Sequence, residues 1–374
     1  MKDQMSNISK IRVLLGLIAI AALCNALPVR AGLPYTNAST VSQLNADINH
    51  ANTTGGTFTI NLQPNTTFTN GQQVIGGAKT VNLTIIGNGD TIDGNHVSRL
   101  FKVASGSSLT LNQLTLQNGY IYADDGGAIY NQGTLTISDC HFTNNTSWYS
   151  GYISTLLGGD GGAIYNGIGT VVINNSTLNG NIATGSRQAF GGAIYNESGT
   201  VRISNSTLDG NTAFASDDAG DYGDGGAIYN GSGKVTLSHV TVSGNIAAVS
   251  GGGIFNAGGM TTVANWSSIT GNTASGASGD VQNSGVLYLD NTSTIGILNG
   301  NPAISEPSPR ISLTPSNTIV ISWLYPSTGW SLQQNSDLAT SNWVTPTNTV
   351  ANNGTNNFII TSRTFNKLFF RLKN

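Results

Sequence analysis

Short runs in which apolar and polar residues alternate recur along the middle of the chain. Leu135 and Ile137 are the apolar positions of one run, and Val171 and Ile173 are those of the next. A period of two is the pattern of a β-strand with one buried face, whereas an amphipathic helix repeats with a period of about 3.6. The chain is therefore predicted to be built largely from short strands.

The runs belong to a segment that occurs five times between residues 126 and 272. Every copy opens with a glycine-led hexapeptide, continues with an alternating run, and ends on an apolar residue followed three positions later by asparagine. The hexapeptides occupy residues 126–131, 161–166, 191–196, 225–230 and 251–256, and the closing asparagines are Asn145, Asn181, Asn211, Asn245 and Asn272. The copies keep a nearly constant length while the joints between them vary, which is typical of the stacked coils of a solenoid.

The repeat predicts an all-β fold whose main part is a right-handed parallel β-helix of about eight to nine rungs. Stacked strands lie about 4.7–4.9 Å apart, so equivalent residues of successive copies should form columns. The inward column is predicted to be Ile129, Ile164, Ile194, Ile228 and Ile254. The closing asparagines should form one amide ladder, and a second should run through Asn131, Asn166, Asn196, Asn230 and Asn256.

The paired motifs of each copy resemble a known repeat. The sequence GGAI at residues 126–129, followed by Phe142 and Asn145 in the pattern F-x-x-N, is similar to the repeat of the polymorphic outer-membrane proteins. The resemblance implies a surface-exposed β-helical domain. It implies no catalytic residue, because the matching residues build the rungs.

Residues 1–31 have the pattern of a secretory signal peptide. Lys2, Lys10 and Arg12 precede an apolar run at residues 13–24, and a plausible cleavage site follows Ala31. A retained anchor helix is the alternative, but it needs a longer apolar run. We therefore expect a secreted or outer-membrane surface protein with no transmembrane helix after removal of the signal.

Three further segments surround the repeats. Residues 40–52 are predicted to form a helix that covers the open first rung, because Thr40 and Gln43 fit a capping box. The β-helix with this cap is predicted to span residues 32–298, and a proline-containing linker residues 299–309. Residues 310–374 concentrate aromatic side chains in alternating runs and are predicted to form a small β-sandwich that serves attachment or sorting.

Charge and cysteine content exclude several classes of site and partner. The chain has 15 basic and 18 acidic residues, and the predicted signal contains four of the basic residues and one acidic residue. The resulting negative charge argues against nucleic acid or an anionic membrane as a partner. Removal of the signal also leaves Cys140 as the remaining cysteine, so no intrachain disulfide is expected.

Acidic residues gather in the variable joints, and they allow three interpretations. Asp217, Asp218, Asp221 and Asp224 are candidates for a calcium site, because Ca²⁺ prefers oxygen ligands. No other cofactor is expected. Carboxylates on neighbouring rungs are also the groups that a glycoside hydrolase uses, so a polysaccharide lyase or hydrolase on this scaffold is an alternative function. The third interpretation is that they are solvated loop charges.

Aromatic residues alternate with the inward isoleucines of the hexapeptides. Tyr130, Tyr165, Tyr195 and Tyr229 are therefore predicted to form an outward column. A flat row of rings can stack on sugar faces, which favours an adhesive or structural protein that binds glycans or cell-surface components. The alternative is that the rings stack on one another.

Overall fold

The computed structural model describes residues 35–64, 67–69, 71–150, 159–215, 222–276, 279–305, 309–315, 318–324, 331–337, 339–354, 356–362 and 368–373. The predicted signal peptide at residues 1–31 lies outside these ranges. Strands account for most of the described chain, and they form three parallel sheets around one core, followed by two antiparallel sheets near the C-terminus.

The helix Val41–Thr54 covers the first rung. Thr40 is its N-cap, and the Thr40 side chain accepts a hydrogen bond from the Gln43 N–H at 3.2 Å. Leu44 and Ile48 are almost fully buried and belong to the main core. The predicted capping helix is confirmed, and it supplies apolar contacts to the first rung.

Sheet 1 carries the longest strands of the solenoid. Its strands are Tyr35–Ala38, Gly56–Leu62, Thr67–Thr69, Val81–Ile86, Thr91–Asp93, Ser108–Asn112, Thr115–Gln117, Thr134–Ser138, His141–Thr143, Thr170–Asn174, Thr177–Asn179, Thr200–Asp209, Lys234–Ser243, Met260–Ala264, Ser268–Ile269, Val286–Leu289, Thr294–Ile295 and Ile304–Ser305. Most rungs supply two short strands separated by a bend, and two rungs supply one continuous strand.

Sheets 2 and 3 complete each rung. The strands of sheet 2 are Gln73–Ile75, Phe101–Val103, Ile129–Asn131, Ile164–Asn166, Ile194–Asn196, Ile228–Asn230, Ile254–Asn256, Val281–Asn283 and Leu298–Gly300. The strands of sheet 3 are Tyr120–Tyr122, Thr146–Tyr149, Ile182–Gly185, Thr212–Ala215, Ile246–Ala247 and Thr273–Ala274. A further parallel pair joins Gln188–Phe190 to Tyr222–Asp224. The nine strands of sheet 2 mark nine rungs, which agrees with the predicted number.

The register places identical residues of successive copies opposite each other. Ile129 pairs with Ile164, and the same register continues through Ile194, Ile228 and Ile254. All five side chains are fully buried. The parallel β-helix and its inward isoleucine column are therefore confirmed.

Both predicted amide ladders are present. In the first, the Nδ2 of each asparagine donates to the Oδ1 of the next over 2.7–2.9 Å, from Asn131 through to Asn283. In the second, the same bond runs from Asn145 to Asn272 over 2.8–2.9 Å. The second ladder ends on a carboxylate, because the Asn272 Nδ2 donates to the Asp280 Oδ1 at 2.9 Å.

The structure differs from the predicted boundaries in two places. The joints do not begin as loops, because their first residues, such as Thr146–Tyr149, form the strands of sheet 3. The solenoid also continues past residue 298, since Leu298–Gly300 pairs with Val281–Asn283 and Ile304–Ser305 pairs with sheet 1. The strands of sheet 3 and the last strands of the solenoid lie outside the repeat motif. They pair through backbone groups, which does not require the motif.

Two antiparallel sheets follow the solenoid and form the C-terminal module. One contains Arg310–Leu313, Thr318–Leu324, Asn356–Ser362 and Ala351–Asn352, and the other pairs Ser331–Asn335 with Phe369–Lys373. Ile321, Trp323, Leu332 and Ile359 form a separate small core between them. This arrangement corresponds to the predicted β-sandwich.

Candidate functional site

The outer face of sheet 3 exposes large apolar side chains in neighbouring strands. Tyr122 is 52% exposed, Trp148 40%, Phe214 50% and Ile246 50%. They lie on this face because side chains alternate along a strand, and the inward positions hold small residues. The inward residues are Ser147, Ala183, Ala213 and Ala247, all fully buried. The narrow interior beneath sheet 3 thus places small side chains inside and leaves the large ones in solvent.

The register of sheet 3 aligns Tyr122, Trp148 and Phe214 along the solenoid axis. Tyr122 pairs with Trp148, Trp148 pairs with Thr184, and Thr184 pairs with Phe214. The rings of Tyr122 and Trp148 meet edge to face with centroids 5.3 Å apart, and the Tyr122 hydroxyl contacts the Ser150 Oγ at 2.7 Å. None of the six strands contains a charged residue. The face therefore combines aromatic rings with threonine hydroxyls and carries no charge of its own.

The predicted tyrosine column is present, but its rings face one another. Tyr130, Tyr165, Tyr195, Tyr229 and Phe255 stack with centroid distances of 4.8–5.3 Å and interplanar angles of 1–13°. The face of Tyr130 is also approached by cations, because the Lys102 Nζ lies 4.8 Å and the Arg99 Cζ 5.2 Å from its ring centroid. The ring faces that a sugar would contact are therefore occupied along the column. Tyr165 is only 8% exposed, and ring edges remain at the partly exposed Tyr130, Tyr195 and Tyr229.

Of the four predicted calcium ligands, Asp217, Asp218 and Asp221 lie outside the described residues. Asp224 is buried, and the Ser250 N–H hydrogen-bonds to its carboxylate. Burial raises the pKa of Asp224 to about 6, and its Oδ1 has no hydrogen-bond partner in the described part of the chain. Among the described residues, no three or more His, Cys, Asp or Glu side chains are grouped so that they could hold a metal ion.

Asp125 and Asp160 occupy the position of Asp224 in two other rungs. Each lies directly before the paired glycines of its hexapeptide, at a turn that we call the corner of the rung. The Asp125 Oδ1 accepts the Asp160 N–H at 3.1 Å, and the Asp160 Oδ1 accepts the Phe190 N–H at 3.0 Å. Burial raises the pKa of Asp125 to about 7. The pKa of Asp160 is also raised, first by burial and then by the charge of Asp125. Asp160 is only 5% exposed. The two carboxylates therefore hydrogen-bond to backbone N–H groups of the corner.

Arg99 and Glu197 complete the surroundings of this corner. Arg99 is 1% exposed and forms an ion pair with Asp124, with 2.7 Å between Nη2 and Oδ2. Its Nε donates to the Gly126 carbonyl at 3.0 Å. One rung further on, the Tyr165 hydroxyl donates to the Glu197 Oε2 at 2.7 Å. Arg99 therefore links this corner to the tyrosine column, because its guanidinium also lies against the Tyr130 ring.

The aromatic face of sheet 3 was not predicted, although the sequence contains a signal for it. The second residue after each closing asparagine is small: Ser147, Ala183, Ala213, Ala247 and Ala274. The neighbouring positions carry the larger side chains. Because serine and alanine are not strongly apolar, the alternation is weak at these positions and the segments resemble loops.

A comparison with protein families agrees with the architecture. The model of the Chlamydia polymorphic membrane protein repeat matches residues 139–167 and 205–231. Each match begins near one closing asparagine and ends in or just after the next hexapeptide, so the chain contains polymorphic-membrane-protein-like repeats, as predicted. The family suggests a cell-surface or outer-membrane repeat protein.

Two other comparisons found no match, one with curated proteins and one with solved structures. Within the described ranges, no helix has the length and apolar character that a membrane crossing requires.

Proposed function

We propose that this chain is an adhesive surface protein in which the solenoid is a rigid carrier and the outer face of sheet 3 binds neutral glycans. The exposure of Tyr122, Trp148 and Phe214 on one uncharged sheet is the observation that carries this proposal. The repeat-family match supports the surface location. The adhesive role extends beyond that match and rests on the chemistry of the face.

The composition of the face favours a sugar chain as its ligand. Aromatic rings offer flat apolar faces to the C–H groups of a pyranose, and nearby hydroxyl groups can hydrogen-bond the sugar hydroxyls. Thr184 lies between Trp148 and Phe214 in the register, so a hydroxyl group separates these two rings along the axis. An acidic polysaccharide would need cations to hold its carboxylates, and the six strands contain none.

The tyrosine column is a second place for glycan contact, through its ring edges. The two surfaces can be separated because the column rings stack on each other, whereas Trp148 and Phe214 are exposed. Substitution of Trp148 should therefore affect binding without loss of a buried stacking partner. Substitution of Tyr195 should affect stability as well as any binding.

The proposal is tested by binding the mature protein to a panel of neutral and acidic glycans. Trp148→Ala and Phe214→Ala are each expected to weaken binding to neutral glycans by roughly three- to tenfold, the range that the loss of one aromatic contact implies. Trp266→Ala is the matched control, because Trp266 is 73% exposed but follows a strand of sheet 1. Equal binding by all three variants, or a preference for acidic glycans, would contradict the proposal.

The same glycans also test the enzymatic alternative. Under the adhesive proposal, prolonged incubation leaves the chain length of each glycan unchanged in chromatography. Shortened products that disappear on changing Asp217, Asp218, Asp221 or Asp224 to Ala would replace adhesion with catalysis. A melting temperature that falls on addition of a chelator would instead support the calcium site.

A further inference from the structure

Within the described residues, the C-terminal module has an edge strand that is paired on one side. In its four-stranded sheet, Arg310–Leu313 pairs on one side with Thr318–Leu324 and is the last strand of the sheet. No other strand of the described residues pairs with its outer side. An edge strand of this kind offers backbone groups to another strand.

The apolar face of the module is also uncovered at this edge. Ile311 lies opposite Ile321 and Leu313 opposite Ile319, and residues directly opposite in an antiparallel pair share one face of the sheet. Ile321 is fully buried in the module core, but Ile311 is 61% and Leu313 59% exposed. The second sheet of the module therefore covers the middle of this face and leaves the edge open.

The backbone groups that point outward can be assigned. The Thr314 N–H donates to the Thr318 carbonyl at 2.9 Å, which makes residues 314 and 318 a hydrogen-bonded pair. Hydrogen-bonded and non-hydrogen-bonded pairs alternate in antiparallel sheets, so Ser312 also bonds inward to the sheet. The N–H and C=O groups of Ile311 and Leu313 are then the ones directed to the open side.

We propose that Arg310–Leu313 pairs antiparallel with the same strand of a second copy of this chain, about a two-fold axis that passes beside Ser312. In this register Ile311 lies opposite Leu313 of the second copy, and the same contact is made twice. Ser312 lies opposite Ser312 on the other face. The two four-stranded sheets become one continuous sheet with a joined apolar face.

The alternation of apolar and polar residues in Arg310–Leu313 favours the same strand of a second copy as its pairing partner. A two-fold pair is self-complementary, so the same patch must match itself. The proposed register matches apolar with apolar residues and serine with serine, and it places Arg310 opposite Thr314 rather than opposite another arginine. A shift by one residue would place Ile311 opposite Ser312 and exchange the two faces.

An engineered disulfide tests the register in the full mature chain. Residue 312 of the two copies would form a non-hydrogen-bonded pair with Cα atoms about 4.5 Å apart, which lies within the range of a disulfide. Ser312→Cys is therefore expected to give a covalent dimer under mild oxidation. Asn352→Cys, on the strand at the opposite edge of the sheet, is the matched control and should stay monomeric. Cys140 is fully buried and does not interfere.

Sedimentation over a wide range of concentrations tests the association itself. The unmodified chain is expected to shift from monomer to dimer as concentration rises, and Ile311→Lys and Leu313→Lys should abolish the shift. Ile360→Lys should keep it, because Ile360 is 52% exposed but lies on the face opposite the buried Ile359. Ile311, Leu313 and Ile360 are all exposed, so the three variants should fold. Unchanged melting curves would verify this.

Three results would overturn the proposal. The first is a chain that stays monomeric at every concentration together with no cross-link from Ser312→Cys. The second is equal cross-linking by Ser312→Cys and Asn352→Cys. The third is a dimer that survives Ile311→Lys and Leu313→Lys, since that dimer would use another surface.

Discussion

The solenoid and the C-terminal module are both built from strands, but they specify their strand pairing in different ways. In the solenoid, parallel strands place each residue beside its own copy, as with Tyr165 beside Tyr195 and Asn166 beside Asn196. In the module, antiparallel strands bring unlike residues together, such as Trp323 and Asn357. The solenoid core runs through nine rungs, whereas the module core has four buried residues.

The difference shows what a repeat contributes to folding specificity. An asparagine that stacks on asparagine can donate and accept at once, so a slip of one residue would break every bond of the ladder. The module has no such ladder and depends on packing around Trp323 and Leu332. The comparison predicts that side-chain hydrogen bonds dominate stability in the solenoid and that apolar packing dominates it in the module.

Asn211→Ala should have the largest effect. The Asn211 Oδ1 accepts from the N–H and Nδ2 of Asn181 at 3.0 and 2.9 Å, and its Nδ2 donates to the Asn245 Oδ1 and the Leu178 carbonyl at 2.8 and 2.9 Å. Loss of these bonds leaves buried partners unsatisfied and should lower the free energy of unfolding by about 3–5 kcal/mol. Denaturant unfolding measures the change. The exposed Asn179→Ala serves as control, and equal effects would contradict a ladder-based stability.

Leu332→Ala should lower the stability of the module by about 2–4 kcal/mol, because Leu332 is 3% exposed in a small core that cannot fill the cavity. The solenoid should be unaffected, since Leu332 has no place in its core. Calorimetry is expected to show one transition shifted and one unchanged. A single transition that shifts as a whole would mean that the two regions unfold together.

Asp125→Asn should stabilise the solenoid in a pH-dependent way. The pKa of Asp125 is raised by burial to about 7, above its usual value of 3.8. The group therefore favours the folded state below about pH 4, and this contribution is lost as pH rises through about 7. Asparagine can still accept the Asp160 N–H, so the variant should gain about 1–3 kcal/mol at pH 8 and little at pH 4.

The pH effect is measured by denaturant unfolding at both pH values. Asp209→Asn provides the control, because Asp209 is an exposed carboxylate on sheet 1, away from the corner. A gain from Asp125→Asn that is the same at pH 4 and pH 8 would show that the charge of Asp125 is not its cause.

Tyr195→Leu should have the smallest effect, about 1–2 kcal/mol. It removes three stacked contacts, to Tyr165 at 5.3 Å, Tyr229 at 5.2 Å and Phe190 at 6.3 Å, and keeps most of the apolar volume. Phe214→Leu removes a ring that is 50% exposed and should leave the unfolding midpoint unchanged. If both variants lose the same stability, the distinction between the stacked column and the exposed rings of sheet 3 fails.

The sequence was sufficient to predict the parts of the fold that repeat. Ile129 and its copies, the two asparagine ladders and the capping helix were all predicted from spacing and periodicity. Sheet 3 was missed because its inward residues, such as Ser147 and Ala183, are too small and too weakly apolar to reveal a strand. The final strands at Leu298–Gly300 and Ile304–Ser305 were missed because they pair through backbone groups that have no side-chain pattern.

The candidate site was harder to predict than the fold. Alternation placed Tyr165 and Tyr195 on the face opposite the inward isoleucines, but the same alternation fits rings that face solvent and rings that face each other, and Tyr165 is only 8% exposed. Only coordinates distinguish these cases. Trp148 and Phe214 each lie three residues after a closing asparagine, Asn145 and Asn211, but the predicted repeat unit ended at those asparagines, so the alignment of the two rings emerged with the register of sheet 3.

The carboxylate at the end of the second asparagine ladder has a consequence for how such a protein changes in length. Every amide in the ladder donates in the same direction along the axis, and Asp280 accepts from both the N–H and the Nδ2 of Asn272. The Asp280 Oδ1 accepts both bonds and donates none, so it ends the chain of bonds without leaving an orphan donor. Whole units can therefore be gained or lost by gene duplication or deletion between Asn145 and Asn272 while the same terminator closes the row.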